Sequence, residues 1–94
     1  MRFVGQSKAF KRDLKRVEKS RYNYIFDEEL WEVVDILAND GLLSYSYHDH
    51  PLIGKWADYR ECHIAPNLLL VYKYEGDDKL ILHRLGTHSE VLGL

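Results

Sequence analysis

Apolar residues in the first half of the chain recur with a helical period. Phe10, Leu14 and Val17 stand four and three apart among Lys and Arg side chains, which predicts an amphipathic helix over residues 7–20, started by Ser7. After an aromatic-rich link (Tyr22, Tyr24, Phe26), Leu30, Val33, Val34 and Leu37 follow at i, i+3, i+4 and i+7 and predict a second helix over residues 28–39. Asp27 suits its N-cap, Glu28 and Glu29 suit the positive end of its dipole, and Gly41 suits a left-handed C-cap.

In the second half the pattern shortens toward period two. Residues 60–64, 68–75 and 79–85 read as strands separated by a Pro66-Asn67 turn and a Gly76-Asp77-Asp78 turn, a three-stranded antiparallel meander. Residues 1–6, with Phe3 and Val4, suit a strand before the first helix. Residues 42–59 contain Pro51 and Gly54 and keep no period, so they read as a long ordered loop, and residues 86–94 as a Gly turn with one helical turn. Strand, two helices and three strands make an α+β domain in which both helix stripes cover one sheet face and leave the other free.

With 94 residues, 46% of them hydrophobic, and only 2 Pro and 6 Gly, the composition fits one folded domain over residues 1–94 rather than a disordered or low-complexity chain. The longest apolar run, residues 68–72, is far short of the roughly 18 residues that span a bilayer, and no signal-peptide core follows Met1. The single cysteine, Cys62, allows no internal disulfide. These features predict a cytoplasmic protein in a reducing compartment, with no membrane partner.

The net charge of −2 hides a strong segregation. Residues 1–26 carry eight basic side chains against two acidic ones, whereas residues 27–49 carry seven acids and no Lys or Arg. Such blocks are commonly solvated helix faces, and a basic one also suits an acidic partner or nucleic acid.

Five histidines invite a search for acid/base or metal chemistry. Alternation puts His63 with Glu61 on one strand face and Cys62 with Arg60 and Ile64 on the other, so Cys62 and His63 form no nucleophile–base pair and Cys62 reads as core. His48-Asp49-His50 offers metal-ligand chemistry, but without the paired ligands of a CxxC or HExxH pattern. Histidines also suit metal-independent RNA cleavage. There a base takes the 2′-hydroxyl proton, an acid protonates the 5′-oxygen, and cations such as Lys55, Arg60, Lys73 and Arg84 steady the phosphorus. His83, alternating with Ile81 and Leu85, reads as a packed strand residue and His48 as an exposed loop residue. Pro51, Gly54 and Trp56 read as loop-shaping residues, with Gly54 supplying positive φ, and Tyr59 and Tyr72 as core or hydrogen-bonded edge residues.

A longer, ordered series then stands out: Asp49-His50, Leu52, Gly54 and Trp56; Tyr59-Arg60, His63-Ile64 and Pro66; Leu69-Leu70 and Tyr72; Arg84, Gly86 and Thr87-His88. Across residues 48–93 it resembles the YafQ branch of the RelE/ParE toxins of bacterial toxin–antitoxin modules. The resemblance implies an mRNA interferase: an endoribonuclease that needs no cofactor, cuts message on the translating ribosome, and is held inactive by a DinJ/RelB-like antitoxin through which it also reaches operator DNA. It implies catalytic roles for His50, His63 and His88 on the open sheet face and a phosphate contact for Arg84. Arg60, on the opposite face from His63, is placed to pair with an acid and ranks below Arg84.

Two positions depart from the YafQ pattern. Asn67 stands where the pattern often has an acid, and it hydrogen-bonds without titrating. Leu92 stands where a ring suited to base stacking is expected. Both positions, with Glu61, are supporting candidates. A ParE-like toxin that binds gyrase and needs no acid/base residues is one alternative, and Asn67 and Leu92 leave open another, a weakened toxin that acts mainly within its antitoxin complex. The resemblance further implies a disordered antitoxin segment, for which the basic N-terminal region offers an electrostatic landing surface.

Overall fold

The computed structural model describes residues 1–92, so the last two positions of the expected C-terminal turn lie outside the described residues. The elements run β1 (Phe3–Gln6), α1 (Lys8–Glu18), α2 (Glu29–Ala38), β2 (His50–Pro51), β3 (Arg60–Ala65), β4 (Leu68–Glu75), β5 (Lys79–Gly86) and α3 (His88–Leu92). The strands form one five-stranded sheet in the order β1-β5-β4-β3-β2. The expected antiparallel meander is its centre; β1 adds parallel to β5, and β2 adds antiparallel to β3, setting His50 opposite Glu61.

Ser7 joins β1 to α1 and serves both. Its hydroxyl accepts the Phe10 N–H at 3.0 Å as an N-cap and donates to the His83 carbonyl at 2.7 Å. The helix stripes then meet the sheet as the periodicity predicts. Phe10, Val17, Leu30, Val33 and Leu37 pack with Cys62, Ile64, Leu70, Tyr72, Leu80, Leu82 and Leu85 in one apolar cluster. Each large side chain buried there contributes about 1.5–3 kcal/mol relative to exposure.

Asp13, on α1, is the exception on that buried face, only 2% exposed. β1 stops opposite Leu82, which leaves the next stretch of the β5 edge without a strand partner. Asp13 takes that place: its carboxylate accepts the Leu85 N–H at 2.9 Å, Arg84 at 2.7 Å and Arg16 at 2.6 Å. Burial pushes the Asp13 carboxyl up, and these hydrogen bonds more than reverse it, leaving the group below its ordinary value.

Several local expectations are corrected. Asp27 does not cap α2: a 3-10 turn over Asn23–Phe26 carries Asp27 in a helical conformation, and Glu28 is the N-cap, without a side-chain capping bond. The left-handed residue after α2 is Asp40 (φ 57°), not Gly41. The Asp40 N–H donates to the Leu37 carbonyl and the Gly41 N–H to the Ile36 carbonyl, closing a Schellman motif. Gly41 serves by its lack of a side chain, since a Cβ there would lie 2.9 Å from the Ile36 Cγ2. The loop over residues 42–59 contains β2 and two 3-10 turns, Tyr45–Tyr47 and Gly54–Trp56, and Gly54 has the expected positive φ of 67°. Nor is the second sheet face wholly free: Leu69, Val71 and Val91 form a small apolar cluster there, joined by Leu52, Tyr59 and Leu92. No helix among the described residues is long and apolar enough to cross a membrane.

Candidate active site

The pleat of β3 decides which side chains face the site. Cys62 enters the helix-covered core, fully buried, and burial pushes its thiol far above the ordinary range, so it is no nucleophile. Glu61 and His63 point the other way. Glu61 is 3% exposed, and its Oε2 is the one buried side-chain nitrogen or oxygen among the described residues without a hydrogen-bond partner. Its Oε1 lies 2.9 Å from His50 Nε2 and 3.4 Å from His88 Nε2. Side chains from β2, β3 and the first position of α3 therefore meet at one carboxylate.

His63 completes the group. Its ring centroid is 6.4 Å from that of His88 and 5.4 Å from that of His48, both edge-on. Thus the three histidines singled out as catalytic candidates, His50, His63 and His88, come together. His48 joins them from the loop, exposed as its place there suggested. Open grooves flank the group: one passes between Glu29, Tyr47 and His48 to His63, the other between Arg21, Tyr22 and Asn67 to His88.

The loop reaches the site by an anchor on the far side of the sheet. Asp49 turns away from its two histidine neighbours, accepting the hydroxyl of the fully buried Tyr72 at 2.6 Å and pairing with Arg60 at 3.3 Å. Burial first, then Asp49, hold the Tyr72 hydroxyl protonated far above its ordinary range. His48 beside it takes a left-handed backbone (φ 51°), and its carbonyl meets His50 Nδ1 at 2.6 Å. Because Asp49 turns away, the His48-Asp49-His50 run does not form a ligand set. Among the described residues, no group of three or more His, Cys, Asp or Glu side chains is arranged to hold a metal ion.

The cations considered for phosphate binding do not converge on the histidines, and each has a partner of its own. Arg60 is held by Asp49, as its strand face suggested. Arg84 is held by Asp13 and donates to the Glu90 carbonyl at 3.0 Å. Lys73 sits 5.3 Å from the Tyr59 ring centroid, and exposed Lys55 sits 5.7 Å from that of Trp56. Of the supporting candidates, Glu61 is central and Asn67 is exposed in the groove beside His88, while Leu92 packs into the apolar cluster. Sequence reasoning passed over Asp49 as an anchor. A two-residue strand shows no periodicity, and only the chain order Asp49-His50 marked the position.

The family model of the YafQ bacterial toxin of type II toxin–antitoxin systems matches residues 2–93. The chain is 34% identical over 94 residues to the mRNA interferase toxin YafQ of Escherichia coli K12, covering 98% of this chain and 97% of that one. A copper-bound mutant toxin from Helicobacter pylori superposes with a TM-score of 0.87 at 41% identity, over 97% of this chain and 99% of that one. The Escherichia coli DinJ–YafQ complex contains a chain that superposes with a TM-score of 0.80 at 31% identity, over 99% and 100% of the two chains.

Proposed function

The chain belongs to the YafQ family of toxins of bacterial type II toxin–antitoxin systems, and from that premise we propose that it is a ribosome-dependent endoribonuclease that cuts mRNA by acid/base chemistry of its own side chains. The observation that carries this reading is the meeting of His50 and His88 at the buried Glu61 carboxylate, with the His63 ring beside that of His88. A 2′-hydroxyl attacks the neighbouring phosphorus, one imidazole takes the hydroxyl proton, and another protonates the departing 5′-oxygen. His88, half-exposed at the groove edge, is a proton-transfer group. His50 and His63 transfer protons or orient the phosphate, while Arg84, steadied by Asp13, supplies positive charge at the border of the site.

An overall charge of −2 is poor for binding free RNA, whose affinity comes largely from phosphate neutralisation. A ribosome that presents the message supplies the missing positioning, and this favours a ribosome-dependent reaction. The partner that restrains the toxin is an antitoxin of the DinJ kind, the protein joined to YafQ in the Escherichia coli complex. Exposed Lys8, Lys11, Arg12 and Lys15 on α1 give an acidic antitoxin segment a landing surface, so this complex weakens as salt rises.

The test is cleavage of a defined message by the purified protein, with and without translating ribosomes. New 5′ ends confined to translated message support the reading; a message left intact in both reactions refutes it.

A further inference from the structure

We propose that the sheet face beyond the histidine group carries a stacking subsite for single-stranded RNA, made by Trp56, Tyr59 and His83 and rimmed by Lys55 and Lys73. It rests on the nuclease reading above and adds where the message lies on one side of the cut.

Three rings gather there: Tyr59 and His83 have centroids 4.6 Å apart, Trp56 and Tyr59 5.6 Å, and Trp56 and His83 5.8 Å. All three are half-buried, so each keeps surface open to a ligand. Tyr59 alone of the three packs into the small apolar cluster of this face. The presence of two lysines argues against a merely structural aromatic stack. Lys73 Nζ lies 5.3 Å from the Tyr59 centroid and Lys55 Nζ 5.7 Å from the Trp56 centroid, so ammonium groups border the rings where phosphates would flank a stacked base. Lys73 also stands 3.7 Å from the half-exposed Glu75 carboxylate, a surface pair of the weak kind that a phosphate can displace.

His83 reaches this face through an irregularity of the sheet. The β4–β5 register passes from Val71 opposite Arg84 to Tyr72 opposite Leu82, leaving His83 as the extra residue of a bulge. Bulges re-aim side chains, and here the ring is turned onto Tyr59. Burial, then the neighbouring Arg84 and Lys73, lower the His83 titration point, which keeps the ring neutral and suited to stacking.

The platform and the histidines lie on one sheet face, which also carries the apolar cluster of Leu69, Val71 and Val91. Leu69 is opposite His63 in the sheet, and Lys73 lies farther along the same face of β4, roughly 13 Å away at about 3.3 Å per residue. That distance lets a short single strand touch both. A duplex, whose bases are stacked on each other, offers no free base face to the rings.

The chain has two tryptophans, so Trp31→Phe leaves Trp56 as the sole indole. The experiment titrates that full-length variant with a 2′-O-methyl RNA tetranucleotide, which lacks the attacking hydroxyl, while following Trp56 emission and the histidine-ring NMR signals. The subsite predicts quenching of Trp56 by about half or more by single-stranded but not duplex RNA. It also predicts that Lys55→Gln with Lys73→Gln, or His83→Ala, weakens the apparent affinity by about tenfold. Histidine signals that move while Trp56 emission stays constant overturn the subsite and leave the nuclease reading standing. RNA that moves neither signal overturns the subsite, while the nuclease reading, in which the ribosome presents the message, is decided by the cleavage assay; quenching by purified antitoxin but not by RNA reassigns the patch to protein binding and overturns the proposal.

Discussion

His50 Nε2 stands 2.9 Å from Glu61 Oε1, while Nδ1 of the same ring lies 2.6 Å from the His48 carbonyl. A carbonyl oxygen only accepts, so Nδ1 carries a hydrogen, and without a further proton Nε2 and the carboxylate would face each other as two acceptors. A hydrogen bond between His50 and Glu61 therefore needs one shared proton. In Glu61→Gln an amide N–H takes over that role, so the proposed site loses a transferable proton while its shape is kept. Cleavage is expected to fall by about 10²-fold, with the His50 Nε2 resonance displaced and Nδ1 little changed. Ring spectra and cleavage rates that match the parent protein would contradict this arrangement.

Asp49 holds the loop to Tyr72 and Arg60 on the far side of the sheet. Asp49→Ala leaves the buried Tyr72 hydroxyl without that acceptor, at a cost of about 1–3 kcal/mol. Because the same residue sets His48 and His50, the loss should appear in kcat more than in KM; Tyr72→Phe should lose less stability. Urea unfolding beside cleavage kinetics checks both parts, and an Asp49→Ala protein with parental kcat would remove its positioning role.

Asp13 links stability to pH. Its folded-state carboxyl lies below the ordinary value of 3.8, so the stability it contributes is present above that pH and is lost as pH falls through the lower folded value. Asp13→Asn should cost about 3 kcal/mol at neutral pH, since Arg84 is left without its buried partner. It should also flatten the acid side of a stability–pH curve measured by denaturant unfolding; a curve that kept its acid slope would place the acid sensitivity elsewhere.

Much of the fold could be read from periodicity, because the stripes of α1 and α2 and the alternation of β3 report which face is buried. Residues whose roles depend on distant chain were less legible. Asp13 looks like one more polar helix residue until β1 stops short and exposes the Leu85 N–H to it. Asp40 takes the left-handed conformation expected of Gly41, and close packing against Ile36, not backbone conformation, demands the glycine. The histidines were visible as candidates, whereas their meeting point was not: Glu61 becomes central only once β2 pairs with β3 and α3 folds back over β4.

Cys62 is fully buried and its thiol is held protonated. A thiol reagent such as an aromatic disulfide should leave the native protein unmodified over hours and react with one thiol per chain in denaturant. Cys62→Ala should keep full cleavage activity at a modest loss of stability. Rapid modification of the native chain would contradict the core assignment.

The most direct measurement is cell-free bacterial translation of a defined message with purified protein, mapping new RNA 5′ ends with and without ribosomes. The account predicts cuts only on translated message, reduced about 10²–10⁴-fold by His88→Ala, whose half-exposed side chain can be removed without unfolding the domain. An intact message, or cuts that persist in a folded His88→Ala protein, would contradict it.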